Sequence, residues 1–137
     1  MVIRPAAKAD EGAIKRIVRA ARINPTNLDW RRFLVAEVDG RIVGTGQVKP
    51  HRDGSRELAS IAVVPAYQRQ GVGGQIIRAL VARENGTLYL TCRAPLGAYY
   101  PRFGFRAIGR DEMPPYFRRR AWFMRFWGGL VMKRDGD

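Results

Sequence analysis

The sequence predicts one α/β domain, a mixed sheet with helices on its faces. Three observations predict it. Apolar runs with strand character alternate with segments of helical periodicity along the chain. An Asp39-Gly40 step between two apolar runs marks a two-residue hairpin. A length of 137 residues at 46% hydrophobic content supplies one core and too little material for a second, so the expected domain is the whole chain, 1–137.

The elements follow in order. Val2-Ile3-Arg4 opens as a strand. In DEGAIKRIVRAAR, the residues Ile14, Ile17, Val18 and Ala21 fall at i, i+3, i+4 and i+7, one apolar face of a helix, with Asp10 placed to cap its start. INPTNLDWRRF carries turn chemistry and a short element. FLVAEVDGRIVGTGQVKP reads as two strands about the hairpin, and SRELASIAVV as a third that ends at Pro65. Residues 71–84 form a helix with Ile76, Ile77, Leu80 and Val81 facing inward. TLYLTC is a strand bounded by Asn85-Gly86, APLGAYYPRF a short helix limited by Pro101, GFRAIG a strand, and GGLVMK the last strand. Residues 115–127 are a helix or an irregular basic-aromatic segment.

The formal charge is +13, most of it from arginine. Such a field attracts anions: nucleic acid, an acidic lipid surface or a phosphorylated cofactor. The basic residues are spread along the chain, so charge alone selects no partner. The single cysteine, Cys92, excludes an internal disulfide, and one cysteine with one histidine, His51, excludes a Cys-based zinc site. No metal is expected. No apolar run reaches the ~18 residues of a membrane-spanning helix, and the first residues lack the apolar centre of a signal peptide. The expected compartment is the cytoplasm. Six basic side chains among the first 22 residues leave an organellar transit peptide as the alternative.

Gln68-Arg69-Gln70-Gly71-Val72-Gly73-Gly74 stands where a strand hands over to a helix. A helix start offers unpaired N–H groups and partial positive charge. Glycines let a ligand approach that backbone, and Arg69 adds a charge-assisted contact. Two nucleotide motifs fail. No Gly-Lys-Ser/Thr closes a P-loop, and Ile76 occupies the last glycine position of a dinucleotide fingerprint. A pyrophosphate cradle and a glycine-rich helix start packed closely on the sheet both remain open.

Val63-Val64-Pro65 followed by Gln68-Arg69-Gln70-Gly71-Val72-Gly73 resembles the acyl-CoA signature of the GNAT N-acetyltransferase superfamily, Val-x-Pro then Gln/Arg-x-x-Gly-x-Gly/Ala. Downstream, Tyr99-Tyr100-Pro101-Arg102-Phe103-Gly104-Phe105 resembles the family's second motif, an aromatic-Tyr-x-x-x-Gly-Phe run. Two motifs in the right order are far more specific than either alone. The element order also agrees over nearly the whole chain, residues 111–127 being the least characteristic. The resemblance implies a splayed central sheet of six to seven strands flanked by helices. It implies acetyl-CoA as co-substrate, with the pantetheine arm on main-chain atoms of Ile61, Ala62 and Val63. The pyrophosphate would rest on the N–H groups of Arg69, Gln70, Gly71, Val72, Gly73 and Gly74, with Gln68 at the edge of this cradle.

The implied reaction moves an acetyl group from a thioester directly to a primary amine. An alkyl amine has a pKa of ~10.4 and attacks only when neutral, so a carboxylate or a water chain must take its proton. Glu57 stands where some family members keep a general base. On a regular strand, residues 57, 59, 61 and 63 share one side, which would turn Glu57 toward the thioester. The alternative is a surface glutamate paired with an arginine. By resemblance, the N–H of Val63 would stabilise the oxyanion. Tyr100 matches the acid that protonates the departing thiolate, and Tyr99 fills the aromatic position beside it. The alternative for Tyr100 is a core tyrosine bonded to backbone. Cys92 reads as a small half-buried residue rather than a nucleophile, because its one candidate base is His51 in a turn-like stretch.

In the C-terminal segment Tyr116, Phe117, Trp122, Phe123, Phe126 and Trp127 interleave with Arg118, Arg119, Arg120 and Arg125. The expectation is a helix or lid that packs its aromatics on the sheet and exposes arginine. A homodimer contact, an anionic membrane and nucleic acid are the other readings. Arg31 and Arg32 suit an acceptor bearing a carboxylate, which favours an amino acid or an acidic peptide, and a small molecule such as an amino acid is favoured over a protein. A polyamine would be repelled. The alternative function is a non-catalytic acyl-CoA-binding sensor or regulatory module.

Overall fold

The structure is a computed structural model and describes residues 1–136. Its strands are β1 (Val2–Pro5), β2 (Phe33–Val38), β3 (Arg41–Pro50), β4 (Arg56–Val63), β5 (Leu88–Arg93), β6 (Arg106–Ala107) and β7 (Gly129–Arg134). Its helices are α1 (Glu11–Ala20), α2 (Val72–Arg83) and α3 (Pro115–Met124). The seven strands are ordered β1-β2-β3-β4-β5-β7-β6 in an open sheet. β1–β2, β2–β3, β5–β7 and β6–β7 are antiparallel. β4 and β5 are parallel, in register at a single pair, Glu57 opposite Tyr89. The mixed sheet flanked by helices is the architecture the sequence predicts. The chain gathers into two compact units, one of Met1–Val48 with Leu58–Arg83, the other of Lys49–Glu57 with the chain from Glu84 on.

The first unit is built around β2, whose residues Phe33, Leu34, Val35 and Ala36 are all buried. Alternate residues point to opposite faces of a strand. Phe33 and Val35 pack with Ile14 and Val18 of α1. On the other face, Gly44 and Gly46 of β3 let α2 come close. A Cβ at Gly46 would lie 2.6 Å from Ile76, 2.7 Å from Ile61 and 3.0 Å from Leu80. Gly46→Ala is therefore expected to overpack this contact and cost about 1–3 kcal/mol, read as a lower midpoint in urea unfolding. The hairpin forms where the sequence places it, with Asp39 at φ 49° and Gly40 at φ 76°, both in the left-handed region the two-residue turn requires.

Two local expectations change. Asp10 makes no side-chain bond to the start of α1. Its carboxylate instead accepts from Ala7 N–H at 2.7 Å and pairs with Arg4 at 2.8 Å. The Arg4 hydrogen bond, the largest influence on Asp10, holds its pKa below the usual carboxylate value. Ala21 lies beyond the last turn and is exposed, so the buried face of α1 is Ile14, Ile17 and Val18.

In the second unit β5 pairs with β7 over six positions, from Leu88 opposite Arg134 to Arg93 opposite Gly129. The short helix expected in APLGAYYPRF is two 3-10 turns, Ala94–Ala98 and Tyr100–Phe103, each with a proline in its first two positions. Gly104, at φ 91°, ends the second turn. The strand expected in GFRAIG shortens to Arg106–Ala107, and Phe105 just before it is 2% exposed. α3 seats Phe117 and Met124, seven residues apart on one helix face.

Candidate active site

In the first unit the glycine-rich segment makes a tight turn into α2. Arg69 (φ 63°) and Gly71 (φ 82°) both adopt the left-handed backbone. The side chain of Gln68 donates to Val63 O at 2.9 Å, and that of Gln70 donates to Ala66 O at 3.1 Å. The first bond fastens the turn to the end of β4, the second to the 3-10 turn Pro65–Tyr67 that follows it. The first amide seen to donate back into the turn is Gln75 N–H, to Gly71 O at 3.0 Å. The N–H groups of 69–74 stand at this helix start as a row of donors ahead of α2's own ladder. Val72 and Gly74 are buried and anchor this end of α2, and a Cβ at Gly73 would stand 3.6 Å from Val63. A Cβ at Gly73 would meet only ordinary contacts and one at Gly71 open space, so it is the left-handed backbone of Gly71 that calls for glycine here. Ile61 and Val63 are half-buried and Ala62 buried on β4.

Within β4, Ser60 has φ 59°, a bulge-type backbone inside a strand. Its carbonyl accepts from Thr45 Oγ1 at 2.9 Å and its hydroxyl from Gln47 Nε2 at 2.9 Å. The even alternation that would put Glu57 on the side of Ile61 and Val63 is thus interrupted between them.

Glu57 lies in the second unit and is 6% exposed, not the surface glutamate of the alternative reading. Its partner is no arginine. Its Oε1 is 2.8 Å from His51 Nε2, and both side chains are nearly enclosed. The Tyr116 ring stacks on His51 at 3.6 Å between centroids and 16° between planes. Phe117 meets His51 edge-on at 5.8 Å and lies 5.1 Å from Tyr89. Asp53 ties this cluster to α3 by accepting from Tyr116 N–H at 2.9 Å. Burial opposes charge on Asp53, but bonds from the Ser55 hydroxyl, Tyr116 N–H and Ser55 N–H outweigh it and keep its pKa low. Burial, then the nearby Glu57, pushes the Tyr116 phenol up.

What sequence reasoning does not foresee is that His51 and Tyr116 gather around Glu57. The signal was HRDGS. Gly54 takes φ 87°, and His51 N–H bonds Ser55 O while Gly54 N–H bonds His51 O. This tight turn brings position 51 back beside position 57.

Tyr100 begins the second 3-10 turn, its ring 5.3 Å from Tyr99 and 6.2 Å from Phe105. Burial, with smaller contributions from Cys92 and Tyr99, pushes its phenol up to about 12. Among the described residues no hydrogen bond holds its hydroxyl to backbone, as the core alternative would require. Glu57 and Tyr100 do not touch. Glu57 faces Tyr89 near the start of β5, and Tyr100 sits beside Cys92 near its end. Cys92 Sγ lies 3.9 Å from Met132 Sδ, and burial raises its thiol, so nothing activates it as a nucleophile. Among the described residues no group of three or more His, Cys, Asp or Glu could hold a metal ion. Arg32 is engaged by Asn27 Oδ1 at 2.6 Å and Gln47 Oε1 at 3.3 Å, whereas Arg31 is mostly exposed beside Asp29.

The family description "Acetyltransferase (GNAT) domain" matches residues 29–107, more than half of the chain. The chain belongs to the GNAT acetyltransferase family. That match takes in the glycine turn, Glu57, His51 and Tyr100. No curated protein sequence matches this GNAT chain. Among solved structures it is similar to N-acetylglutamate synthase from Neisseria gonorrhoeae complexed with coenzyme A and N-acetyl-glutamate, at 20% identity and TM-score 0.80, covering 99% of this chain and 35% of that one. It is similar to Rv2747 from Mycobacterium tuberculosis in complex with CoA and NLQ, at 23% identity and TM-score 0.76, covering 98% and 99%. It is also similar to yncA from Salmonella typhimurium, a putative acetyltransferase with its cofactor acetyl-CoA, at 22% identity and TM-score 0.75, covering 100% and 94%. At these identities the likeness is one of fold. The GNAT chain spans about a third of the length of the Neisseria synthase. Among the described residues no helix is long and apolar enough to cross a membrane.

Proposed function

We propose that the chain, 1–137, is an acetyl-CoA-dependent N-acetyltransferase that acts on the primary amine of a small acceptor such as an amino acid. The observation that carries this reading is the glycine-rich turn whose N–H groups at 69–74 lead into the start of α2, held by the bonds of Gln68 and Gln70. A pyrophosphate placed there meets several donors and the positive end of a helix at once. All three of these similar structures carry CoA or acetyl-CoA, and one also carries N-acetyl-glutamate, an acetylated amino acid, which supports both the co-substrate and the acceptor class.

The chain's own residues supply the rest. The main chain of Ile61, Ala62 and Val63 aligns the acyl donor, with Val63 N–H aimed at the carbonyl oxygen. Glu57 takes the amine proton, and the 2.8 Å contact to His51 fixes its carboxylate in one orientation. Tyr100, its pKa pushed up to about 12, holds its proton at every working pH. It serves the departing sulfur as a hydrogen-bond donor. Arg31 offers an exposed guanidinium to an acceptor carboxylate. The compartment in this reading is the cytoplasm.

Two measurements test the proposal together. Calorimetry with acetyl-CoA is expected to show binding. Free-thiol release is expected to depend on an acceptor in a panel of amino acids, small amines, drugs and peptides. Binding without release across the panel would assign a sensor instead, and no binding would end both readings.

A further inference from the structure

The C-terminal aromatics do not pack as their sequence suggests. Phe117 and Met124 are buried, but Trp122 is 53% exposed, Phe123 61%, Phe126 75% and Trp127 73%. Such a cluster of large apolar side chains in water marks a surface that meets something. Its base is fixed. Met124 closes so tightly on Gly129 at the start of β7 that a Cβ there would stand 2.2 Å from Met124 Cε. The outward face of α3 then runs from Arg118 and Arg119 to Trp122 and Phe123, one helical turn further on. Arg125 lies over the rings of Trp122, at 3.6 Å, and Phe126, at 4.1 Å. Between Met113 and Arg134 the sequence has six basic residues and no acidic one.

We propose that this aromatic tip, with its arginine collar, docks the protein on an anionic lipid surface. Trp and Phe settle at the depth where headgroups meet acyl chains, and arginines one turn back meet lipid phosphates and carboxylates. Charge complementarity selects this occupant. A second copy would bring the same arginines against these ones, on a molecule of net charge +13. A single-stranded nucleic acid needs open ring faces for its bases. Here Arg125 covers faces of Trp122 and Phe126, and Trp122 and Phe123 stand edge-to-face at 89° rather than as a stacking platform. The proposal is independent of the acetyl-transfer reading.

The test is sedimentation of the full chain with vesicles of about 30% phosphatidylserine in phosphatidylcholine, against pure phosphatidylcholine, at about 0.1 M salt. Wild type is expected to pellet with the anionic vesicles only. The exposed-residue variant Trp122→Ser/Phe126→Ser is expected to lose at least about tenfold in apparent affinity while keeping its thermal midpoint. Arg119→Gln/Arg125→Gln is expected to bind weakly with a shallower salt dependence. Failure of wild type to pellet overturns the proposal, as does unweakened binding by the aromatic variant. Two further results overturn it: a dimer in light scattering that the aromatic variant dissociates, and tighter binding to a single-stranded oligonucleotide that the same variant abolishes.

Discussion

Tyr100→Phe is expected to lower kcat by about tenfold or more and leave acetyl-CoA affinity nearly unchanged. The ring keeps its contacts with Tyr99 and Phe105, so the change removes only the hydroxyl. A fully positioned acid contributes ~10²–10⁴. The smaller expectation follows from the environment. Burial pushes this phenol up to about 12, well above the ~8.5 of a thiol, so complete proton transfer to the sulfur is uphill and a hydrogen bond does most of the work. The pH dependence has a definite sign. The folded-state pKa lies above the ordinary ~10, so the protonated phenol favours the folded state fully below about pH 10. That contribution is lost as pH rises toward 12. Tyr100→Phe should therefore show a shallower fall in melting temperature above pH 10 than wild type, and any activity limb below pH 10 belongs to another group. An unchanged kcat removes Tyr100 from the reaction.

The Glu57–His51 pair carries the second large effect, and its two halves should fail differently. Glu57→Gln keeps an oxygen for His51, so the fold is expected to stand while kcat/KM falls by about 10². His51→Ala does the reverse to stability. It leaves a nearly enclosed carboxylate without its 2.8 Å partner, a loss of about 1–3 kcal/mol or more for a charged group. Urea unfolding should show this loss, and the double variant His51→Ala/Glu57→Gln should recover part of it, because the stranded group no longer carries charge. A double variant as unstable as His51→Ala would mean that the lost packing against Tyr116 is responsible instead. Full activity in Glu57→Gln would leave the amine proton to a water chain.

What could be read beforehand divides along physical lines. Local chemistry was legible. Asp39-Gly40 needs left-handed backbone, and Gln68 with the glycines needs a tight turn before a helix. Patterns that rely on regular geometry were less so. The strand alternation from Glu57 to Val63 assumes even pleating, and the Ser60 backbone at φ 59° breaks it without any glycine to announce the break. His51 stayed hidden because its partners come from a tight turn and from a distant helix, and only the turn is written locally. The aromatic stripe 122–127 reads in sequence as a packing face because apolar periodicity usually marks one. The true packing pair, Phe117 and Met124, uses a narrower i, i+7 line, and the wider stripe points away. Nearly all of the element order was legible, then, while the acceptor side of the site depended on contacts far apart in sequence.

The segment 49–57, the end of β3, a turn and the start of β4, belongs to a unit whose remaining residues begin only at Glu84. That unit is therefore not a cassette. A fragment started at residue 84 lacks His51, Asp53 and Glu57, so it cannot be moved into a related enzyme as a self-sufficient module. The same arrangement orders events on the ribosome. His51 and Glu57 emerge together, but Asp53 must wait 63 residues for the Tyr116 amide. Until α3 leaves the exit tunnel, the imidazole and carboxylate stay in water, and a nascent chain cut short before Pro115 never encloses them. Completion of α3 is thus the step that brings Tyr116 over the imidazole, and a proteolytic clip in it is expected to re-expose the pair to water.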